Sequence, residues 1–188
     1  MPFNELYLKS LVHVMNKPFR RYKVAIAGDA GSGKTSLIYR IMGHPDITLV
    51  EKTKGVFIES ITDRNIELIF WDFSGQKHFR DVILPFFRGS HIVVLVFDLS
   101  NPQSLINLVK EWSMYVKQAL NDVPCIVLGN KKDIKMLPDD FIQESLEEMK
   151  RVINLRGYLE VSALTGEGIE NFLKILYDVA EELRDKGV

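Results

Sequence analysis

Residues 28–35 read Gly-Asp-Ala-Gly-Ser-Gly-Lys-Thr, which is the pattern G-x-x-x-x-G-K-[ST] of a phosphate-binding loop. Residues 22–27 before this loop form a strand-like apolar run, and residues 36–42 after it have helix-like spacing. A loop of this kind needs a strand before it and a helix after it, because the first backbone N–H groups of the helix face the phosphate. The motif and its context therefore predict an α/β domain. A glycine-rich turn without a ligand is the less favoured interpretation.

The composition excludes several classes of protein. The chain has 188 residues, 46% of them hydrophobic and 26% charged, which suits one globular domain of ordinary size. Its net charge of −1 gives no reason to expect a nucleic-acid partner. The single cysteine, Cys125, rules out an internal disulfide and a cysteine-based metal site. No apolar run approaches the roughly 20 residues that span a bilayer, and no secretory signal is evident. We therefore expect a cytoplasmic protein, and a monomer.

Strand-like and helix-like segments alternate along the chain, which favours a mostly parallel sheet covered by helices on both faces. A polar turn at residues 63–65 joins two of the strands as a hairpin and adds one antiparallel edge strand. The strand-like segments are residues 24–27, 56–62, 66–72, 91–98, 125–130 and 158–162. The helix-like segments are residues 34–42, 102–120, 138–152 and 168–184.

The first nineteen residues differ from the rest and are predicted to be an extension of a domain at residues 20–188. Phe3, Tyr7, Leu11 and Val14 recur at helical spacing, and polar residues fill much of the other side. This pattern predicts an amphipathic helix. Two interpretations are open: the helix packs on its own domain or on a partner protein, or residues 3–15 contact a membrane surface peripherally.

Five residues are candidates for binding and cleaving a nucleoside triphosphate. Lys34 of a phosphate-binding loop reaches the β- and γ-phosphates, and the Thr35 hydroxyl binds Mg²⁺. Asp72 ends a strand-like run, where it is predicted to hold the magnesium ion through water rather than only to form a turn. Gly75 and Gln76 follow shortly after. The Gly75 N–H is predicted to meet the γ-phosphate and Gln76 to orient the attacking water, so the catalytic candidates are Gln76 and Lys34.

A second group of residues predicts recognition of guanine. Residues 130–133 read Asn-Lys-Lys-Asp and follow a strand-like run. The Asp133 carboxylate can accept hydrogen bonds from both N1–H and N2–H₂ of guanine, and a base without that pair is rejected by up to about 10⁴-fold. The aliphatic part of Lys131 would cover the face of the base. Residues 162–164, Ser-Ala-Leu, would complete the pocket, with the Ala163 N–H directed at guanine O6.

In this order, the motifs resemble those of the Ras superfamily of small GTPases, over about residues 20–184. The resemblance implies a P-loop NTPase G domain with a six-stranded sheet and about five helices, GTP and GDP as ligands, Mg²⁺, and two switch segments. It implies that the magnesium ligands are Thr35, Thr53 and Asp72. The nucleotide-binding residues that it implies are Gly28, Ala30, Gly31, Ser32, Gly33, Lys34, Thr35, Ser36, Thr53, Gly75, Asn130, Lys131, Asp133, Ser162, Ala163 and Leu164.

The magnesium threonine of the first switch has two candidates, Thr48 and Thr53. Thr53 is followed two positions later by Gly55, which is similar to the family's T-x-G pattern and favours Thr53. The short interval from Thr53 to Asp72, together with the amphipathic N-terminal segment, resembles the Arf branch of the superfamily. Four features depart from Arf proteins: the serine before Gly75, the second lysine of residues 130–133, the position of Asp29, and Pro2 where Arf proteins carry a lipid-bearing glycine. We therefore expect an Arf-like protein with mixed features.

The resemblance implies a molecular switch that hydrolyses GTP slowly and works with effector, exchange-factor and GTPase-activating proteins. No segment inserted between Lys34 and Thr53 supplies an arginine in cis, so an activating partner is expected. The main alternative is a nucleotide-bound scaffold that does not cycle. A P-loop kinase that uses ATP is a further alternative, and Asp133 opposes it.

Overall fold

The computed structural model describes residues 19–44, 53, 55–76, 85–120 and 122–188. The predicted N-terminal extension, residues 1–19, lies outside the described residues except for Phe19, and Thr48 lies outside them as well. The strands are β1 (Arg20–Ala27), β2 (Val56–Asp63), β3 (Ile66–Phe73), β4 (Ile92–Asp98), β5 (Cys125–Asn130) and β6 (Leu155–Glu160). The helices are α1 (Lys34–Ile41), α2 (Pro102–Asn107), α3 (Ser113–Ala119), α4 (Asp139–Lys150) and α5 (Ile169–Asp185). A π-helical turn (Leu108–Trp112) joins α2 to α3, and a 3₁₀ turn (Lys132–Ile134) follows β5.

The six strands form one sheet in the order β2-β3-β1-β4-β5-β6. β2 pairs with β3 in antiparallel register, and every other neighbouring pair is parallel. The prediction of a mostly parallel six-stranded sheet with one antiparallel edge strand is confirmed. Because the parallel strands end at one edge, the loops that follow β1, β3, β4, β5 and β6 meet there, which is where open α/β sheets bind ligands.

The central strand β4 shows why the sheet needs helices on both faces. All seven of its residues are buried. Ile92, Val94 and Val96 belong to an apolar cluster that includes residues of α1 and α5, whereas Val93, Leu95 and Phe97 belong to a cluster that includes residues of α2, α3 and α4. Alternate side chains of a strand point to opposite faces, so a continuous apolar run can be buried only between two helical layers.

The β2–β3 hairpin turns through two residues, Arg64 and Asn65, which both have positive φ angles (49° and 61°). Such a turn matches the twist of the strands that it joins. Both of its backbone carbonyls are bound: the Arg20 N–H donates to the Asn65 oxygen at 3.0 Å, and Arg184 Nη1 donates to the Arg64 oxygen at 3.2 Å. The start of β1 and the end of α5 thus hold the tip of the hairpin.

Two predicted elements differ from the observed ones. The strand expected at residues 158–162 lies instead at Leu155–Glu160, because residues 155 and 157–160 pair with β5 and the chain then turns away into the loop that carries Ser162. The helix expected at residues 102–120 is divided by the π-helical turn at residues 108–112. The Ser113 N–H there donates to the Leu108 oxygen, five residues back instead of four. Helical periodicity in the sequence does not reveal one wider turn.

Two further structural observations bear on earlier expectations. Within the described ranges, no helix combines the length and apolar character needed to cross a membrane.

Cys125 is fully buried at the start of β5, and its Sγ lies 3.3 Å from the Val123 carbonyl oxygen. Burial, with a smaller contribution from Asp122, raises the pKa of the Cys125 thiol to about 12.

We predict that Cys125 does not react with thiol reagents in the folded protein at pH 8. At that pH the thiol is protonated and enclosed, and the thiolate is the reactive form. Labelling with a chromogenic disulfide reagent should be negligible for the native protein and should reach one thiol per chain in denaturant. Rapid labelling of the native protein would show that β5 is not packed as described.

Candidate nucleotide-binding site

A cavity of about 240 Å³ lies at the edge of the sheet where the parallel strands end. It contains most of the predicted phosphate-binding and metal-binding residues. The residues that line it are Ala30, Gly31, Gly33, Lys34, Thr35, Ser36, Thr53, Ser74, Gly75, Gln76 and Lys131. Asp133 and residues 162–164 do not line it, and Asn130 connects Ala163 to Ser32 of the phosphate loop. The cavity therefore corresponds to the phosphate and metal part of the predicted site.

The Lys34 ammonium lies inside the loop that connects β1 to α1. Its Nζ donates to the Gly28 carbonyl oxygen at 3.0 Å and to the Asp29 carbonyl oxygen at 2.9 Å. Burial lowers the pKa of Lys34, and the nearby carboxylates of Asp72 and Asp29 oppose that shift. An ammonium held in this way has one remaining N–H donor, which is the kind of group that binds a phosphate oxygen at the N-terminus of a helix.

Two glycines allow the backbone segments of the site to approach each other closely. At Gly28, where φ is 141°, a Cβ atom would lie 2.0 Å from the Val96 carbonyl oxygen of β4. At Gly75, a Cβ atom would lie 2.2 Å from the Ala30 backbone nitrogen. The Ala30 N–H in turn donates to the Gly75 carbonyl oxygen at 3.2 Å. Only a residue without a side chain fits at either position.

Thr35, Thr53 and Asp72 form a compact oxygen cluster beside the cavity. Thr35 Oγ1 lies 2.6 Å from Thr53 Oγ1, and the hydroxyls of both threonines donate to Asp72 Oδ2, that of Thr53 at 3.2 Å. Asp72 is fully buried, and its Oδ1 has no hydrogen-bond partner among the described residues. Burial raises the pKa of Asp72, whereas Lys34 and the two hydroxyls oppose that shift.

This cluster fits a magnesium ion. Mg²⁺ prefers oxygen ligands, and in nucleotide sites it is usually bound through one or two carboxylates, with substrate phosphates and waters among its other ligands. The two hydroxyls and the unpaired Oδ1 of Asp72 meet that requirement. Within the described ranges no group of three or more His, Cys, Asp or Glu side chains suits a metal, so a site of the all-carboxylate kind is absent there. Of the two candidate threonines, the described Thr53 lies in this cluster.

Asn130 joins the phosphate side of the site to the predicted base side. It is buried at the end of β5, and its Nδ2 donates to the Ser32 carbonyl oxygen at 2.9 Å. Its Oδ1 accepts the Ala163 N–H at 3.0 Å. The expectation that this N–H points to guanine O6 therefore differs from the structure, where Asn130 accepts it. One side chain thus connects the loop before α1 to the loop after β6.

The remaining base-side residues are only partly brought together. The Ser162 hydroxyl donates to Asp133 Oδ1, so the hydroxyl and the carboxylate are adjacent. Leu164 is 53% exposed, and its part in the base pocket stays a prediction. Lys131 has a positive φ of 64°, and its Nζ lies 2.7 Å from Asp98 Oδ2. That contact fixes the position of the lysine chain beside the cavity.

Two residues of this site were missed in the sequence. Arg40 of α1 donates through Nε to the Ala163 carbonyl oxygen at 2.7 Å and through Nη2 to the Leu164 oxygen. Nothing in the spacing of α1 distinguishes this arginine from a solvated one. Asp98 is the last residue of β4, and Asp72 is the last but one of β3, so an acidic residue at the carboxyl end of a buried strand was a signal that could have identified Asp98.

Gln76 lines the cavity at the end of the described stretch 55–76. Its backbone N–H donates to Ser74 Oγ at 3.4 Å, and Ser74 is fully buried. The structure thus places the glutamine beside the phosphate loop. The role of Gln76 in orienting water stays a prediction, as do the roles of the other site residues.

The amino-acid sequence of this chain is similar to those of known proteins. A family model described as "Ras family" matches residues 23–182. The chain is 36% identical to the Ras-related protein Rab-4 of Dictyostelium discoideum over 168 residues, which are 85% of this chain and 80% of that protein. It is 30% identical to the Ras-related protein Rab-1 of Theileria parva over 172 residues, covering 88% of this chain and 75% of the relative. These relatives do not support the predicted Arf-like placement.

We predict that Asn130→Ala lowers both stability and nucleotide affinity. The substitution leaves the Ser32 carbonyl and the Ala163 N–H unpaired, and each buried unpaired group costs about 1–3 kcal/mol. The free energy of unfolding in urea should therefore fall by about 2–6 kcal/mol, because two such groups lose their partner. Asn154→Ala is the matched control, because Asn154 makes one exposed hydrogen bond, to the Asp122 carbonyl oxygen. Equal losses for the two variants would contradict the bridging role of Asn130.

Proposed function

This chain belongs to the Ras family, and we propose that it is a GTP-binding switch that hydrolyses GTP to GDP. The observation that carries the proposal is the meeting of three groups at one edge of the sheet. These are the enclosed Lys34 ammonium, the oxygen cluster at Asp72, and the Asn130 bridge to the loop whose Ser162 hydroxyl binds Asp133. Together they provide for the phosphates, the metal and the base of one nucleotide.

The residues of the phosphate loop bind and orient the triphosphate. Backbone N–H groups at the start of α1 and the Lys34 ammonium face the phosphate oxygens. Thr35, Thr53 and Asp72 hold the magnesium ion, which when bound neutralises charge on the β- and γ-phosphates. Gln76 orients the attacking water. Asp133 selects guanine, while Lys131 covers the face of the base.

Thr53 is the contact through which the nucleotide state reaches the first switch segment. Its hydroxyl lies within hydrogen-bond distance of both Thr35 and Asp72, which belong to α1 and β3. In the GTP state its hydroxyl binds the metal and its N–H meets the γ-phosphate. Loss of that phosphate removes the second contact, which releases the segment for a different arrangement.

Within the family we propose a Rab-like rather than an Arf-like protein. The similarity to Rab-4 extends over 85% of this chain, whereas the Arf-like expectation depended on one interval length and on the N-terminal segment. A switch of this kind works with effector, exchange-factor and GTPase-activating proteins. Peripheral membrane contact through residues 3–15 and a cytoplasmic, monomeric state complete the proposal.

We predict that the purified protein prefers guanosine to adenosine nucleotides in the presence of Mg²⁺. Displacement of a fluorescent GDP analogue should need at least about 10³-fold more ATP than GTP, because adenine leaves the Asp133 carboxylate unpaired. Asp133→Ala should reduce that ratio to near one. Equal displacement by ATP and GTP would remove the proposed function and favour an ATP-using protein.

We predict that Gln76→Leu slows single-turnover GTP hydrolysis by at least about tenfold without weakening GTP binding, because the attacking water loses its positioning group. Gln118→Leu, at an exposed position of α3, is the control and should leave the rate unchanged. Wild-type turnover at the uncatalysed rate would instead support the scaffold alternative. An unchanged rate for Gln76→Leu would contradict the role of the glutamine.

A further inference from the structure

The carboxylate of Asp29, in the phosphate loop, is held by two side chains from outside that loop. Asn107 Nδ2 donates to Asp29 Oδ2 at 2.6 Å, and Trp112 Nε1 donates to Asp29 Oδ1 at 2.9 Å. Each carboxylate oxygen therefore has its own donor. Trp112 is almost fully buried, and its indole N–H is directed at this carboxylate. We call these three residues the Asp29 clamp.

The π-helical turn explains how one helical segment supplies both donors. Asn107 and Trp112 are five positions apart, and in a regular α-helix such residues point about 140° away from each other. The turn at residues 108–112 contains one extra residue, which brings position 112 round toward position 107. The Ser113 hydroxyl donates to the Val109 carbonyl oxygen, so this carbonyl of the wider turn has a hydrogen-bond partner. The irregular turn is therefore what builds the clamp.

The clamp acts on the part of the loop that holds the phosphate-binding lysine. The Asp29 carbonyl oxygen accepts Lys34 Nζ at 2.9 Å, and it also accepts the Ser32 N–H at 3.3 Å. Asp29 thus accepts hydrogen bonds from two directions. Its carboxylate binds side chains of the segment from α2 to α3, and its carbonyl oxygen binds the Lys34 ammonium. Asp29 is not among the residues that line the cavity, and its carboxylate oxygens are bound to Asn107 and Trp112.

We propose that Asn107 and Trp112 are positioning residues, which fix the phosphate loop through Asp29 and thereby control how long the nucleotide stays bound. The inference rests on the proposed function, because it concerns the loop that holds GDP and GTP. Both donors are neutral side chains, an amide and an indole. Through Asn107 and Trp112, the segment from α2 to α3 is therefore connected to the loop that binds the nucleotide.

Release of a fluorescent GDP analogue in Mg²⁺, chased with unlabelled GDP, tests the clamp. Asp29→Ala and Trp112→Phe should each release the analogue about tenfold faster, the effect that loss of a hydrogen bond to a charged group typically has. Asn107→Leu should do the same. Trp71→Phe is the matched control for the tryptophan substitution and should change the rate less than about twofold.

A double substitution separates positioning from packing. If Trp112 acts through Asp29, then Asp29→Ala with Trp112→Phe releases the analogue no faster than Asp29→Ala alone. If Trp112 only fills space, Trp112→Phe accelerates release equally in both backgrounds, which would overturn the clamp. Release rates within about twofold of wild type for all three single variants would overturn it as well.

The indole itself provides a second readout. The chain has two tryptophans, so Trp71→Phe leaves Trp112 as the only one. Its emission should shift when EDTA removes the nucleotide, and Asp29→Ala should abolish that shift. Trp112 emission that does not change when the nucleotide is removed would count against the clamp. If the wild-type protein retains the GDP analogue and the clamp variants release it at the wild-type rate, only the clamp is refuted. A wild-type protein that does not retain the analogue refutes the proposed function and the clamp with it.

Discussion

The position of one buried ammonium determines how the candidate site is built. Lys34 has little access to water, and two backbone carbonyls of its own loop accept its hydrogen bonds. A cation in such a place needs anionic partners, because burial penalises its charged form. The carboxylate of Asp72 supplies part of that charge, and phosphates would supply the rest. The loop, the metal cluster and the nucleotide therefore depend on one another.

Asn130 and Arg40 extend that dependence to the other end of the site. Asn130 joins the phosphate loop to the Ala163 backbone, and Arg40 holds two carbonyls of the same later loop. The Asn130 bonds join residues 98 and 33 positions apart in sequence, and the Arg40 bond to Ala163 joins residues 123 positions apart. A site assembled in this way forms only when the whole sheet has formed, so binding and folding are coupled.

The sequence predicted the fold well because its signals are local. The phosphate-loop motif, the apolar strands and the polar turn at residues 63–65 each depend on neighbouring residues only. The sequence missed what depends on long-range contacts: Arg40, the acceptor of the Ala163 N–H, and the π-helical turn that lets Trp112 reach Asp29. The branch of the family was also predicted poorly, because an interval between two motifs is shared by chance more easily than similarity along a whole chain.

The hairpin formed by β2 and β3 is tied down at its tip, where Arg20 and Arg184 bind the two turn carbonyls. Sliding β2 along β3 would require the tip to detach from both the first strand and the last helix. These contacts thus hold β2 and β3 in fixed register and oppose sliding of one strand along the other. In the switch that we propose, a rearrangement that starts at Thr53 would therefore leave the tip of this hairpin in place and would act on the chain that leads up to Val56.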